Sequence, residues 1–444
     1  MSMLSRLFGP RLAAMLLSPR AWAMFATLAS RGSGFVASFS LSRLAGAPSL
    51  ALYISTVITA AAVATPVAQV LFNSTTLSGT AAPDADWLRR FLRVNLWMAT
   101  VLLVPICVLF YLMHWDAAAS LADGLALSHG WLVAVGISTV AGQIYLSVLT
   151  GVLNGMGAQV ASARLMAVVA MALMVLSYPA VSVAGVRGAW SLLLLSNWVP
   201  VLWQGWLFSR HVRHRWARQV AQDDVCSQSP AQAAWHQFRA GLPSVLGLVL
   251  TGFAGWFCTI YLVQQHLGAH AVAVVAVSNQ WITLMLLPAT SWGGVILREL
   301  AHQRLTDPAE PAVWRLLRRM LGRNGAVTLL VVGAVLLISP WIEKGYRLEG
   351  HSLVALLCVG GAAAMLSAMS GVFERLMVCW ERQAYWLVLL VVGLLAQLAF
   401  TVAWIDRSVV SVQAGALLAA ALTFVLGAWL AHRVLGRQVG GTLL

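Results

Sequence analysis

The chain has 444 residues, 60 % of them hydrophobic and 9 % charged, with a formal net charge of +14. No soluble globular class has that composition, so the sequence reads as a polytopic membrane protein. In a soluble chain such a charge would suggest nucleic acid; here the arginines gather between apolar runs, as membrane topology requires, and no nucleic-acid partner is expected.

Before Pro19 the apolar run covers only Leu12 to Leu17, too short for a signal peptide, so the first span is expected to be retained. Hydropathy and helix breakers predict twelve spans, at roughly 21–42, 50–72, 94–113, 130–152, 162–183, 187–209, 241–265, 270–297, 324–341, 351–373, 384–404 and 409–431. With the N-terminus in the cytoplasm, 22 of the 28 Lys+Arg lie on that side and five lie opposite, namely Arg43, Arg187, Lys344, Arg347 and Arg407. Both termini are therefore expected to be cytoplasmic.

The remaining cation, Arg31, falls near the middle of the first span. A charge at that depth costs about 2.5 to 3.5 kcal/mol on insertion scales and calls for water or a partner. Thr27, Arg31, Gly34 and Ser38 are spaced 4, 3 and 4 residues apart, so they share one small, polar, cationic helix face. That face is expected to line a hydrated cavity; the alternative is a structural arginine held by a neighbouring helix's carbonyls.

Other spans carry similar stripes. The second has Ser55, Thr59, Ala62, Pro66, Gln69 and Asn73 on one face, with a kink expected at Pro66. The fourth has Thr139, Gln143, Ser147, Thr150 and Asn154, and the seventh has Ser244, Gly247, Thr251, Gly255 and Cys258. The eighth offers Asn279, Thr283 and Thr290, then Pro288's kink and the Arg298-Glu299 end. Helix association explains small and hydroxyl residues equally well, whereas Gln69, Asn73, Gln143 and Asn279 are larger and costlier to bury. Trp281, deeper in the eighth span, faces either the cavity or a neighbouring helix.

The polar break at Arg210–Arg239 separates two sets of six spans. Gly46-Ala47 and Gly268-Ala269 are 222 residues apart, as are Pro66 and Pro288. The expected fold is thus all-α, with twelve transmembrane helices in two pseudo-symmetric six-helix bundles, 1–209 and 240–444, joined by a cytoplasmic linker, 210–239.

Catalytic signatures are missing. There is no Gly-rich phosphate loop and no HExxH, and all fourteen Asp+Glu fall in loops or at helix ends of this assignment. His266 and His270 lack a carboxylate partner in sequence, and His211 and His214 sit in a basic inner anchor with affinity for anionic lipid. Cys107, Cys226, Cys258, Cys358 and Cys379 have no metal or redox spacing and read as packing residues. No metal, no cofactor and no enzymatic activity are expected.

Three stretches resemble a known family: LASRGSGFVASFSLSRLAGAPSLALY (Leu28 to Tyr53), VLNGMGAQ (Val152 to Gln159), and GLPSVLGLVL with LGAHAVAVVAVSNQW (Gly241 to Leu250, Leu267 to Trp281). They look like Wzx-type O-antigen flippases of the multidrug/oligosaccharidyl-lipid/polysaccharide exporter superfamily. The resemblance implies two bundles around a cationic cavity that passes a polyprenyl-diphosphate-linked oligosaccharide to the outer leaflet of a bacterial inner membrane by alternating access. Polysaccharide polymerase and chain-length proteins are further partners it implies, beside the lipid bilayer. By position Arg31 resembles a first-span arginine that faces the substrate diphosphate in related lipid flippases. The sequence departs from such relatives in the second half, where Phe253 stands 222 residues after Arg31.

On this reading Arg31 holds phosphate charge, Gln69, Asn73, Gln143 and Asn279 bond sugar hydroxyls, and Arg298 attracts the headgroup or anchors the topology. A small-molecule antiporter of the same superfamily would be expected to hold an intramembrane Asp or Glu. A membrane glycosyltransferase would be expected to have a large outer loop, whereas the longest outer loop here is His114 to His129.

Overall fold

A computed structural model describes residues 19–82, 84–123, 128–216, 229–292, 296, 299, 300, 303, 304, 310–346, 353–380 and 382–440. The chain divides into two compact units, Met1–Val245 and Leu246–Leu444. In order, the helices are α1 (Pro19–Leu44), α2 (Gly46–Ala81), α3 (Ala85–Asp123), α4 (His129–Gly155), α5 (Gln159–Trp216) and α6 (Pro230–Trp256). A π-helical turn, Phe257–Tyr261, leads into α7 (Leu262–Met285), α8 (Leu287–Ser291), α9 (Glu310–Tyr346), α10 (Leu353–Cys379), α11 (Gln383–Trp404) and α12 (Ser411–Gly440). Among the described residues there is no strand.

Nine stretches of described helix are long and apolar enough to cross a membrane. Two of them are double. A straight helix of 58 residues would be about 87 Å long, far more than a bilayer's hydrocarbon core, and α5 breaks at Gly185 (φ 56°, ψ −135°). The stretch Val245–Met285 breaks likewise at Gly268 (φ 79°, ψ 179°). Counting each double stretch as two passes gives eleven. The 26 residues of α1, whose Arg20, Arg31 and Arg43 make it less apolar, add a twelfth. The expected all-α, twelve-span fold is what the chain adopts.

In the first unit α1 packs on α5 and α2 on α4. The second contact is very close. A Cβ on Gly151 would lie 2.6 Å from the Phe72 carbonyl oxygen, and one on Gly155 would lie 2.5 Å from that of Thr76. Polar side chains also tie helices together, as membrane helices allow: Thr150 Oγ1 donates to Gln204 Oε1 (2.8 Å), and Gln204 Nε2 donates to Ser162 Oγ (3.1 Å). In the second unit α12 packs on α10 and α11, and α9 on α10. Leu317, Met320, Phe373, Leu376, Trp386 and Leu430 belong to one buried apolar cluster.

Several expectations need correction. Helix α3 continues to Asp123, so most of the expected outer loop from His114 is helical. α2 runs through Pro66 as one helix, whereas the helix of the eighth span ends at Met285, shortly before Pro288, and a separate short helix follows. Glu374 lies five residues inside the end of α10, so the carboxylates are not confined to loops and helix ends. Cys226 and the stretch 217–228 of the expected linker lie outside the described residues.

Candidate functional site

α1 is built with two unlike sides. Ala26, Ala29, Ala37 and Ser40 are buried, and a Cβ on Gly32 would come within 2.6 Å of Met174 Cε on α5. Opposite this packed side, Arg31 and Thr27 are exposed and Gly34 is half-buried. Ser38, expected on the same polar face, is fully buried. The face is therefore uncovered over its N-terminal half only. Among the described residues Arg31 makes no hydrogen bond and no ion pair, so the guanidinium's five N–H donors are open.

The stripe on α2 divides in the same way. Ser55 and Thr59 are fully buried, while Gln69 and Asn73 are exposed. One turn apart, they join through Gln69 Nε2 donating to Asn73 Oδ1 at 3.3 Å. This leaves amide groups of the pair able to bond a further polar molecule. Gln143 on α4 is half-buried, and among the described residues it has no hydrogen-bond partner. Arg31, the Gln69–Asn73 pair and Gln143 all belong to the first unit, but among the described residues no hydrogen bond joins the three to one another.

In the second unit part of the seventh-span stripe is packed, while Thr251 and Gly255 are half-buried. Gly247 and Cys258 are buried, and a Cβ on Gly247 would meet Leu390 Cδ1 at 3.2 Å. Phe253, in register with Arg31, is 45 % exposed. Asn279 is half-buried and occupied within its unit: Gln413 Nε2 donates to its Oδ1 at 2.8 Å, and Thr283 Oγ1 to its backbone carbonyl at 2.7 Å. Gln413, 4 % exposed, escaped sequence reading, although an amide inside an apolar run was the signal available. Arg298 lies outside the described residues. Trp281 is half-buried.

His266 does have a carboxylate partner, Asp406, with Nδ1 and Oδ1 2.7 Å apart. Gly268 breaks the helix between His266 and His270, so the two do not lie one turn apart on one helix face. Among the described residues no cluster of His, Cys, Asp and Glu could hold a metal ion.

What the first unit presents is a guanidinium and an amide pair, each uncovered on a span, with no carboxylate bound to the cation. A guanidinium can pair with an anion and amides can bond hydroxyls.

No protein-family model matches the sequence, and no curated protein does. Solved structures do resemble it. An inward-facing multidrug resistance MATE family transporter of the MOP superfamily superposes with a TM-score of 0.69 at 18 % identity, covering 93 % of this chain and 98 % of that one. An outward-facing MATE transporter gives 0.65 at 16 % identity, covering 96 % and 98 %. A MOP superfamily transporter from Pyrococcus furiosus, described as having a binding pocket of reverse polarity, gives 0.64 at 16 % identity, covering 98 % and 99 %. At these identities the likeness is one of fold: the chain has the twelve-helix, two-lobed fold of MATE transporters of the MOP superfamily.

Proposed function

We propose that the protein is an alternating-access transporter that passes a polyprenyl-diphosphate-linked oligosaccharide from the cytoplasmic to the outer leaflet of a bacterial inner membrane. The observation that carries this is Arg31, an exposed mid-helix cation with no carboxylate partner among the described residues. A lone charge in a span is costly unless it meets water or a counter-ion, and a diphosphate is a counter-ion that also needs help to cross. Desolvating such an anion costs many kcal/mol, whereas its polyprenyl tail is at home in lipid. Gln69 and Asn73 supply hydrogen-bonding groups suited to sugar hydroxyls. The solved neighbours include inward- and outward-facing forms, which supports alternating access. For the Pyrococcus furiosus neighbour a pocket of reversed polarity suggests a different function, so substrate class can change on this fold with the sign of the pocket.

Arg31→Ala is expected to abolish surface polysaccharide at unchanged protein level, and Arg31→Lys to retain part of the export. Export at the wild-type rate by the alanine variant overturns the reading.

One observation favours a small-molecule antiporter instead. Glu374 is a carboxylate inside α10, exposed on its unit, and such a group could exchange an ion. If that reading holds, Glu374→Gln abolishes drug resistance conferred by the protein and Arg31→Ala leaves polysaccharide intact.

A further inference from the structure

The last span of each unit ends in the same short pattern. α5 carries Trp206-Leu207-Phe208-Ser209-Arg210, and α12 carries Trp429-Leu430-Ala431-His432-Arg433. In both, the leucine after the tryptophan is buried, Leu207 at 9 % and Leu430 at 8 %, while the tryptophan stands outside, 54 % and 50 % exposed. Both arginines are exposed and fold back over the ring one turn earlier: Arg210 Cζ lies 5.5 Å from the Trp206 ring centre, and Arg433 Cζ lies 4.4 Å from that of Trp429. Among the described residues neither arginine makes a hydrogen bond or an ion pair, so their N–H donors remain open beside the ring.

Tryptophan is at home at the level of lipid headgroups, and a guanidinium seated on an indole face is fixed in direction, with a planar fork that matches a phosphate. We propose that these two Trp–Arg clamps are binding sites for anionic phospholipid, each taking one headgroup phosphate at the membrane surface. An even number of passes separates them, so a membrane offers both to the same leaflet. By the arginine bias that leaflet is the cytoplasmic one, where anionic lipid adds about 1 kcal/mol of attraction per nearby cation. Arg213, exposed beside the first clamp, adds a cation there; near the second the Glu310 carboxylate lies 3.5 Å from His432 Nδ1.

Native mass spectrometry of the full chain in neutral detergent, titrated with phosphatidylglycerol and separately with phosphatidylcholine, tests the proposal. The wild type is expected to prefer phosphatidylglycerol at two sites. Arg210→Gln and Arg433→Gln each weaken one site about fivefold, and the double variant loses the preference. Arg210→Lys with Arg433→Lys keeps the charge but not the planar seat and falls between. If the glutamine variants do not stay folded, Trp206→Leu with Trp429→Leu, both at exposed positions, decides the same question by losing the preference or keeping it. The proposal is overturned if the double glutamine or double leucine variant retains the wild-type preference, if the lysine variant matches the wild type, or if inorganic phosphate displaces the lipid at equal concentration.

Discussion

At Gly268 the backbone takes φ 79° and ψ 179°, a region that any residue with a Cβ enters only at a cost of about 1 to 3 kcal/mol. Gly268→Ala is therefore expected to lower the thermal midpoint by several degrees in a detergent melt. Gly255→Ala serves as the control, since a Cβ there meets open space, and its midpoint is expected not to move. The residues of the candidate site differ in how legible they were. Arg31 stood out because nothing in its span shares its charge, and Gln69 and Asn73 because amides are rare in apolar runs; all three are exposed. The His266–Asp406 pair spans 140 residues and has no sequence signature, since periodicity reports only on neighbours along one helix. Gln413 on Asn279, 134 residues apart, was hidden for the same reason. Because His266 and Asp406 are both partly exposed, the pair is worth about 0 to 1 kcal/mol. His266→Ala is expected to shift the same melt by less than Gly268→Ala does.

Among elements, the crossing of α2 and α4 is the tightest argument the sequence did not supply. Gly79, Gly151 and Gly155 bring backbones together: Gly155's Cβ position lies 2.8 Å from Gly79 Cα and 2.5 Å from a carbonyl oxygen. A flexible side chain can give way but backbone cannot, so Gly155→Val must part the helices and forfeit the close van der Waals packing between them. The variant is expected to lose most folded, monodisperse protein on size-exclusion chromatography, whereas Gly333→Val, whose Cβ position is open, keeps it. Periodicity predicts polar stripes on the second, fourth and seventh spans, yet it cannot say which part of a face another helix covers. Ser55, Thr59 and Thr139 turned out buried, with Gln69 and Asn73 on the uncovered remainder of the α2 face. Helix ends were missed where helices run past the bilayer, because hydropathy marks the hydrocarbon crossing and α3, at 39 residues, extends well beyond it.

For the whole molecule, the 222-residue offset noted between Gly46 and Gly268 reappears in the backbone, with φ of 80° at one and 79° at the other. Glycine is needed at both because the chain turns sharply there between consecutive spans. The matched prolines do not behave alike, since α2 continues through Pro66 and the eighth span ends before Pro288; a repeat conserves passes more firmly than the path of any one helix. Twelve passes place the start of α1 and the end of α12 on one side of the membrane, and the arginine distribution predicts which. With 22 Lys+Arg on the side of the N-terminus against five opposite, the basic segments are expected to stay in the cytoplasm. Ser229, just before α6, is expected on the basic side, and Ser408, exposed in the turn between α11 and α12, on the other. In a background with the five cysteines replaced, a cysteine at Ser408 is expected to react with a membrane-impermeant maleimide in intact cells. One at Ser229 should react only after the inner membrane is opened. The reverse pattern overturns the orientation, and equal labelling of both from outside overturns the odd count of passes between them.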